Sequence, residues 1–241
     1  MNILVVNDDG INAKGILKLA EIAKRFGNVT VVGPKGQCSA VSQKLTLFDS
    51  IDVIRVDFPI DGVDAYSVDG TPADCVKIGV GIICEVKPDI VFSGINMGCN
   101  IGYDIAYSGT IAACFESLQF GIPAFAFSKP LGDNFELVDM YLENIIKELL
   151  GMEVQKNELI NVNFPKCGVN EVNGILWNRT IAPTMFYTDS YIVDRRSDGS
   201  INVKEGSVPV SPECVPEGTD IDAIYKNYIS IGKVINPVIA L

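Results

Sequence analysis

Short apolar segments that alternate with helical patterns constrain the fold of this chain more than any other feature. The segments that are apolar at nearly every position, and so read as strands buried on both faces, are residues 2–6, 29–32, 90–93 and 124–128. Further strands are predicted at residues 51–56, 66–68 and 160–164. Helices are predicted over residues 14–26, from Pro72 onward, and over residues 110–120 and 134–150. Strands buried on both faces and separated by helices are typical of an α/β, doubly wound, mostly parallel sheet.

The character of the sequence changes near residue 168. Residues 1–167 are predicted to form the catalytic core, with a loop and a weak strand over residues 34–50. Residues 168–241 carry turn signals and alternating patterns, and Asp198-Gly199 predicts a hairpin turn. The tail is therefore expected to be a C-terminal β-hairpin extension that completes the same domain or serves as an oligomerisation arm.

Composition excludes several classes of function. The net charge of −11 disfavours a nucleic-acid polymer or a membrane surface as partner, although a small phosphate ester in a local pocket stays possible. The seven cysteines have no CxxC spacing, which favours a reducing, cytoplasmic location. No signal peptide and no membrane-length apolar segment is expected. The chain has no histidine, so its chemistry must use other side chains.

Two adjacent acids, Asp8 and Asp9, follow the first strand in the sequence "ILVVNDDGI". Two carboxylates about 4 Å apart repel each other by roughly 1 kcal/mol in water and by roughly 4 kcal/mol at an effective dielectric near 20. In the structural interpretation, the pair is well solvated and Asp9 caps the next helix, a role worth about 0.3–1 kcal/mol per charge. In a partly buried cleft, the pair needs a cation. The nearest basic residue is Lys14, so a bound metal is favoured over the structural interpretation.

Other predicted strand ends supply neutral oxygens at the same edge of the sheet. Hydroxyls follow the second strand at Ser39 and Ser42, and amides follow residues 90–93 at Asn96 and Asn100. Two carboxylates with neutral oxygens suit Mg²⁺, Mn²⁺ or Ca²⁺ and disfavour zinc. Such a metal could activate water and polarise a phosphoryl group.

The segment "YSGTIAACFESL" places Ser108, Gly109 and Thr110 at a predicted helix start. The free backbone N–H groups there favour an anion, although plain N-capping explains the segment equally well when it is taken alone. Thr71 and Asp74 in "VDGTPADC" resemble a structural capping box. The segment "GINMGCNIG" does not match a dinucleotide fingerprint.

Several ordered blocks resemble one family. The blocks are "ILVVNDDGI", "VVGPKGQCSAVSQKLTL", "YSVDGTPADCVKIG", "DIVFSGINMGCNIGYDIAYSGTIAACFE", "GIPAFAFS" and "NVNFP". Their order over about residues 1–165 is similar to that of SurE, the survival protein E family of metal-dependent nucleotide phosphatases. The resemblance implies a Rossmann-like fold, a 5′-nucleotidase activity, often with activity on 3′-nucleotides and short polyphosphate, and a homodimer or homotetramer that exchanges a hairpin arm. The segment "SDGS" is a candidate for that arm.

The resemblance also implies roles for individual residues. One divalent metal, Mg²⁺ or Mn²⁺, with Ca²⁺ as an option in a crystal, would bind Asp8, Asp9, Ser39 and Asn96. Phosphate and substrate would contact Ser39, Gly94, Asn96, Ser108, Gly109 and Thr110. The sequence departs from the family pattern at Cys38-Ser39-Ala40, at Ser42-Gln43 and at Met97, where many relatives carry other residues, among them His.

Without histidine, the general base would be Asp8 or Asp9, or the attacking water would be activated at the metal; a covalent aspartyl-phosphate is an alternative. Two further functions stay open: a nucleotide-binding protein without efficient turnover, and a receiver-like signalling module. The second is suggested by "ILVVNDD" and by "FSKP" at residues 127–130, but the chain is much longer than a receiver.

Overall fold

A single nine-stranded sheet organises the computed structural model, which describes residues 1–239. The strand order is β3-β4-β2-β1-β5-β6-β7-β13-β8. All pairs from β4 to β7 are parallel, while β3 pairs antiparallel with β4 and β13 pairs antiparallel with β7. The expected mostly parallel, doubly wound, Rossmann-like sheet is confirmed.

Strands and helices alternate along the chain as far as β7, except that β2, β3 and β4 follow one another without a helix. The strands of the main sheet are β1 (Asn2–Val6), β2 (Asn28–Pro34), β3 (Val53–Val56), β4 (Asp64–Val68), β5 (Ile90–Met97), β6 (Ala124–Lys129), β7 (Glu158–Asn163), β8 (Gly174–Arg179) and β13 (Tyr228–Ile235). The helices are α1 (Lys14–Ala23), α2 (Pro72–Ile78), α3 (Gly109–Gln119), α4 (Glu136–Leu150) and α5 (Asp220–Tyr225). A π-helical turn, Gly79–Ile83, follows α2, and 3₁₀ turns lie at Tyr103–Ala106 and Pro212–Cys214.

Helices cover both faces of the sheet. Side chains of α1 and α4 pack on one face in a cluster that includes Leu19 and Leu142. Side chains of α2 and α3 pack on the other face in a cluster that includes Val76 and Ile111. This burial on both faces explains why the central strands read as apolar runs.

The chain reverses its winding direction at β1. This strand pairs with β2 on one side and with β5 on the other, so their carboxyl ends flank a crevice. Ligands of doubly wound sheets bind in such a crevice. The acidic turn, which we define as residues 7–10, lies directly at this point.

The residues after 168 divide between the main sheet and exposed hairpins. The strand predicted at residues 160–164 corresponds to β7, and β13 inserts beside it and carries β8 at the sheet edge. The exposed strands are β9 (Tyr187–Thr188), β10 (Tyr191–Arg195), β11 (Ile201–Glu205) and β12 (Val208–Pro209). The β10–β11 pair turns at Asp198-Gly199 as predicted, with Gly199 at φ +85°.

Several predicted boundaries differ from the structure. The first helix ends at Ala23 rather than residue 26, because Arg25 and Phe26 donate to carbonyls three residues back and tighten the last turn. No strand forms between β2 and β3. The backbone there turns through positive φ at Ala40 and Ser42, which breaks an extended conformation. Within residues 1–239, no helix has the length and apolar character that a membrane crossing needs.

Candidate active site

The acidic turn is closed by the side chain of Asn7. Asn7 is completely buried, and its Nδ2 donates to the carbonyl oxygen of Gly10 at 2.9 Å. Gly10 has φ +105°, a conformation that favours glycine. The turn therefore sends Asp8 and Asp9 in fixed directions from the end of β1.

Asp8 is buried against the start of α3. Its side chain is 5% exposed, and Oδ1 accepts a hydrogen bond of 2.7 Å from the hydroxyl of Thr110. A Cβ on Gly109 would lie 2.8 Å from the Asp8 Cβ, so only glycine allows the helix to approach this closely. Burial raises the pKa of Asp8 from 3.8 to about 6; the Thr110 hydrogen bond lowers this pKa and the neighbouring Asp9 charge raises it.

Asp9 faces the carboxyl end of β5. Its Oδ2 accepts from the backbone N–H of Met97 at 2.9 Å, and its Oδ1 lies 3.5 Å from Nε2 of Gln37. Asn96 precedes Met97 and donates from Nδ2 to the carbonyl of Gly98 at 2.6 Å. That bond uses the amide nitrogen, and Oδ1 of Asn96 accepts no hydrogen bond among residues 1–239, so it stays available to a ligand.

The loop of residues 35–52 brings Ser39 to the same edge. The backbone N–H of Cys38 donates to the carbonyl of Asp8 at 2.7 Å, so Ser39 follows directly after a contact with the acidic turn. Ser39 is exposed. Ser42, by contrast, is engaged structurally, because its hydroxyl donates to the carbonyl of Ala106 at 2.8 Å.

Two buried acids, Glu116 and Asp74, accept hydrogen bonds from the loop of residues 35–52 and hold it in place. Glu116 of α3 is 2% exposed and accepts from Nε2 of Gln43 at 2.9 Å, and Nζ of Lys77 lies 3.6 Å from its other oxygen. Asp74 accepts from the backbone N–H and the hydroxyl of Thr46. Asp74 also forms the predicted capping box of α2 with Thr71, so the structural interpretation of "VDGTPADC" is confirmed.

The amino terminus of α3 faces the crevice. Ser108 is the N-cap and accepts from the backbone N–H of Ile111 at 3.1 Å. Ser108, Gly109 and Thr110 are all buried. Because Thr110 and Gly109 contact Asp8, the helix start and the acidic turn form one constellation rather than two separate sites.

Two other residues named from the sequence have packing roles in this structure. Gly94 is buried in β5, where a Cβ would lie 2.3 Å from the carbonyl oxygen of Phe127 on β6. Asn100 is 6% exposed, receives from Asn161 and Asn163 at its carbonyl, and donates to the Ser128 hydroxyl at 2.8 Å. Asn100 thus fixes the loop after β5 rather than adding an oxygen to the crevice.

The carboxylates of the acidic turn have no cationic partner among residues 1–239, where every ion pair involves other acids. The same residues contain no group of three or more Asp, Glu or Cys side chains arranged to hold a metal. A metal at the acidic turn would therefore depend on Asp8 and Asp9 together with neutral oxygens. The donor set of Asp8, Asp9, Asn96 and Ser39 fits a hard divalent cation of that kind.

Sequence reasoning missed three contacts that shape the site. These are the Thr110 hydrogen bond to Asp8, the Met97 N–H bond to Asp9, and the Gln43–Glu116 bond that anchors the loop. Each joins residues at least 73 positions apart. Local patterns therefore carried almost no signal for them. The one available signal was Glu116, a charged residue inside the otherwise apolar helix predicted at residues 110–120.

Comparisons with known proteins show which family the chain resembles. The family model described as "Survival protein SurE" matches residues 3–185. A protein of Caldanaerobacter subterraneus subsp. tengcongensis named 5′-nucleotidase SurE is 39% identical over 95% of this chain and 89% of its own length. A protein of the same name from Clostridium botulinum (strain Loch Maree / Type A3) is 36% identical over 96% of this chain and 91% of its own.

Similarity extends to the three-dimensional structure. The crystal structure of the SurE protein from Aquifex aeolicus superposes with a TM-score of 0.83 at 33% identity, and the match covers 99% of this chain and 95% of that one. The agreement in sequence blocks, sheet and chain length leads to one conclusion: this chain belongs to the SurE family.

Proposed function

We propose that this chain is a divalent-metal-dependent phosphatase that hydrolyses nucleoside 5′-monophosphates to nucleoside and phosphate. The observation that carries the proposal is a buried carboxylate, Asp8, without a cationic partner among residues 1–239, packed against a helix start at the point where the sheet reverses. Relatives that match most of the chain are named 5′-nucleotidase, which supports the substrate class.

Asp8, Asp9, Ser39 and Asn96 would hold one Mg²⁺ or Mn²⁺ ion. When bound, the metal supplies Lewis acidity toward a phosphoryl oxygen. The ionised form of Asp8 is disfavoured by burial, and a cation would compensate it. The exposed hydroxyl of Ser39 and the free Oδ1 of Asn96 are neutral oxygens that such a cation accepts.

The α3 start, Ser108–Gly109–Thr110, would receive the phosphate. Its backbone N–H groups and the dipole of an 11-residue helix favour an anion. An anion arriving there also meets the negative charge of Asp8, which packs against Gly109. Phosphate binding therefore requires that the charge of the acidic turn be neutralised, which is the role assigned to the metal. Ser39 and Asn96 would complete the contacts that hold the substrate, and Gly94 would contribute indirectly by letting β5 pack closely on β6.

Asp8 or Asp9 would accept the proton of the attacking water, because the chain has no histidine. Asp8 is enclosed by Thr110 and Gly109, whereas Asp9 is half-exposed and has one weakly engaged oxygen, Oδ1. Asp9 is therefore the better placed acceptor for that proton. Asp8 would orient Thr110 and the helix start.

Residues 168–241 would complete the domain formed by residues 1–167. Within them, the exposed hairpins would serve as the oligomerisation arm of a homodimer or homotetramer. Apolar side chains that are about half exposed in this arm include Ile192, Val193, Ile201 and Val203. Such a patch is more often covered by a partner than left in water.

The same active site would accept 3′-nucleotides and short polyphosphate.

The test is phosphate release by metal-stripped protein from a panel of 5′- and 3′-nucleoside monophosphates and tripolyphosphate. Mn²⁺, Mg²⁺, Ca²⁺ or no metal is added back. Release that occurs only with a metal, and that Asp9→Asn abolishes without changing the melting temperature, is the expected result. Nucleotide binding without release would favour a binding protein, and stable labelling by acetyl phosphate would favour a receiver-like module; either result overturns the proposal.

A further inference from the structure

A cavity of about 310 Å³ opens at the carboxyl ends of β6 and β7. Its size lies at the lower end of the range of about 300–1,000 Å³ that small-molecule pockets span. Apolar side chains form most of the wall, including Leu131, Leu137, Val138 and Phe164. Two cationic side chains, Lys129 and Lys166, also line it; Lys129 is enclosed, whereas Lys166 is exposed.

β5 lies between the acidic turn, which follows β1, and the cavity at the ends of β6 and β7. Lys129 is the last residue of β6 and is the register partner of Met97 on β5. The backbone N–H of Met97 donates to Oδ2 of Asp9 at 2.9 Å, and Nζ of Lys129 lies 3.9 Å from the Met97 sulfur. A ligand whose phosphate lies at the acidic turn can therefore extend its other end into this cavity.

Lys129 has a hydrogen-bond donor to spare. The residue is 4% exposed, and Nζ donates to the carbonyls of Pro130 at 2.7 Å and Gly132 at 2.6 Å. An ammonium group has three donors, and beyond the two carbonyls Nζ meets the Met97 sulfur and the Phe135 ring, whose centroid is 4.8 Å away. Both are weaker partners than a carbonyl oxygen of a ligand would be. Among residues 1–239 no carboxylate forms an ion pair with Lys129; Asp133 on the cavity wall pairs with Lys14 at 2.8 Å.

The lining favours a flat, uncharged group over a second phosphate. Apolar walls gain free energy from covering an aromatic ring, whereas a phosphate would lose hydration against them. The two carbonyls already facing the Lys129 ammonium reduce its attraction for a distant charge but leave one directed donor. Such a donor recognises a carbonyl oxygen on the ring and gains nothing from an amino group in the same place.

We propose that this cavity receives the base of the substrate nucleotide, and that Lys129 donates from Nζ to the exocyclic oxygen at C6 of an oxopurine or C4 of uracil. The inference rests on the proposed nucleotidase function and extends it to substrate choice. It assigns Lys129 as a specificity-determining residue and predicts that IMP and UMP are better substrates than AMP.

The test compares kcat/KM for IMP, AMP and ribose 5-phosphate, which has no base. Lys129→Met should lower kcat/KM for IMP by about 10-fold or more, mainly through KM, since hydrogen bonds to charged groups are worth at least this factor. The same substitution should change AMP and ribose 5-phosphate by less than about twofold.

A second variant guards against a disturbed loop, because Lys129 also holds residues 130–132. Leu131 is 72% exposed, so Leu131→Ala should fold normally, yet it removes part of the apolar wall. It should raise KM for both nucleotides by about 3-fold or more, through lost apolar contact, and leave ribose 5-phosphate unchanged. Ile82→Ala, at a 78% exposed position outside the cavity, is the matched control.

The outcomes separate the two proposals. Equal losses for IMP, AMP and ribose 5-phosphate in the Lys129 and Leu131 variants would overturn the base-site inference while leaving the nucleotidase intact. No phosphate release from any substrate by the unaltered, metal-loaded protein would overturn the proposed function itself.

Discussion

The charge of Asp8 should weaken the metal-free protein, and this cost can be measured. Burial raises the pKa of Asp8 from 3.8 to about 6, a shift of about two units, and each unit corresponds to about 1.4 kcal/mol. A carboxyl group whose folded pKa is raised contributes stability that is complete below about pH 4 and is lost as the pH rises through about 6. Above pH 7 the folded protein therefore bears a cost of about 3 kcal/mol.

Asp8→Asn removes that cost, because an amide stays uncharged at every pH. Asparagine keeps an oxygen for the Thr110 hydroxyl, so the free energy of unfolding in chelator at pH 8 should rise by about 1–3 kcal/mol. At pH 4 the difference should fall close to zero. Urea unfolding at both pH values measures it, with the exposed residue Asp49, changed to Asn, as the control.

Metal binding should reverse this order of stability, so that the unaltered protein becomes more stable than the Asp8→Asn variant. Mn²⁺ at 100 times its Kd would stabilise the unaltered protein by about 2.7 kcal/mol. The Asp8→Asn variant should gain much less, since it lacks one ligand. An Asp8→Asn protein that is less stable than the parent at pH 8 in chelator would mean that the ionised carboxylate is favourable without a cation, and the reasoning would fail.

Three further predictions follow from contacts around the site. Gly109→Ala places a Cβ 2.8 Å from the nearest atom of the acidic turn, so it should lower the free energy of unfolding in urea by about 1–3 kcal/mol and abolish most of the turnover. Gly81→Ala is the control and should leave turnover unchanged, because nothing lies within 4 Å of the added Cβ. Gln43→Met leaves the buried Glu116 without its closest donor and should cost about 1–3 kcal/mol; an unchanged urea midpoint would contradict that role. Ile192→Glu places a charge in the exposed arm and should reduce the molar mass measured by light scattering, and an unchanged mass would argue against the arm as interface.

Local patterns predicted the elements that carry their own signals. The β1 strand and the α2 capping box depend on neighbouring residues, and both were correct. The hairpin turn at Asp198-Gly199 was also correct, because its glycine permits positive φ. The family resemblance, confirmed by the comparisons, supplied the roles that these patterns alone left open.

Long-range contacts set what the sequence left open. β13 inserts between β7 and β8. This position could not be predicted from local patterns, because both partner strands lie far from β13 in the sequence. The loop of residues 35–52 forms no strand, since Ser42 and Thr46 bond to other elements instead of extending. In the sequence Lys129 stood out only within "FSKP", a feature of receiver modules, whereas the fold shows it enclosed and in contact with Met97.

Metal binding at the acidic turn is tested most directly by anomalous diffraction from crystals grown with Mn²⁺ and inorganic phosphate. We expect one manganese peak per subunit in contact with Asp8 and Asp9, near Asn96 and Ser39, with phosphate between the metal and the start of α3. An empty acidic turn in crystals that bind manganese elsewhere would contradict the central claim.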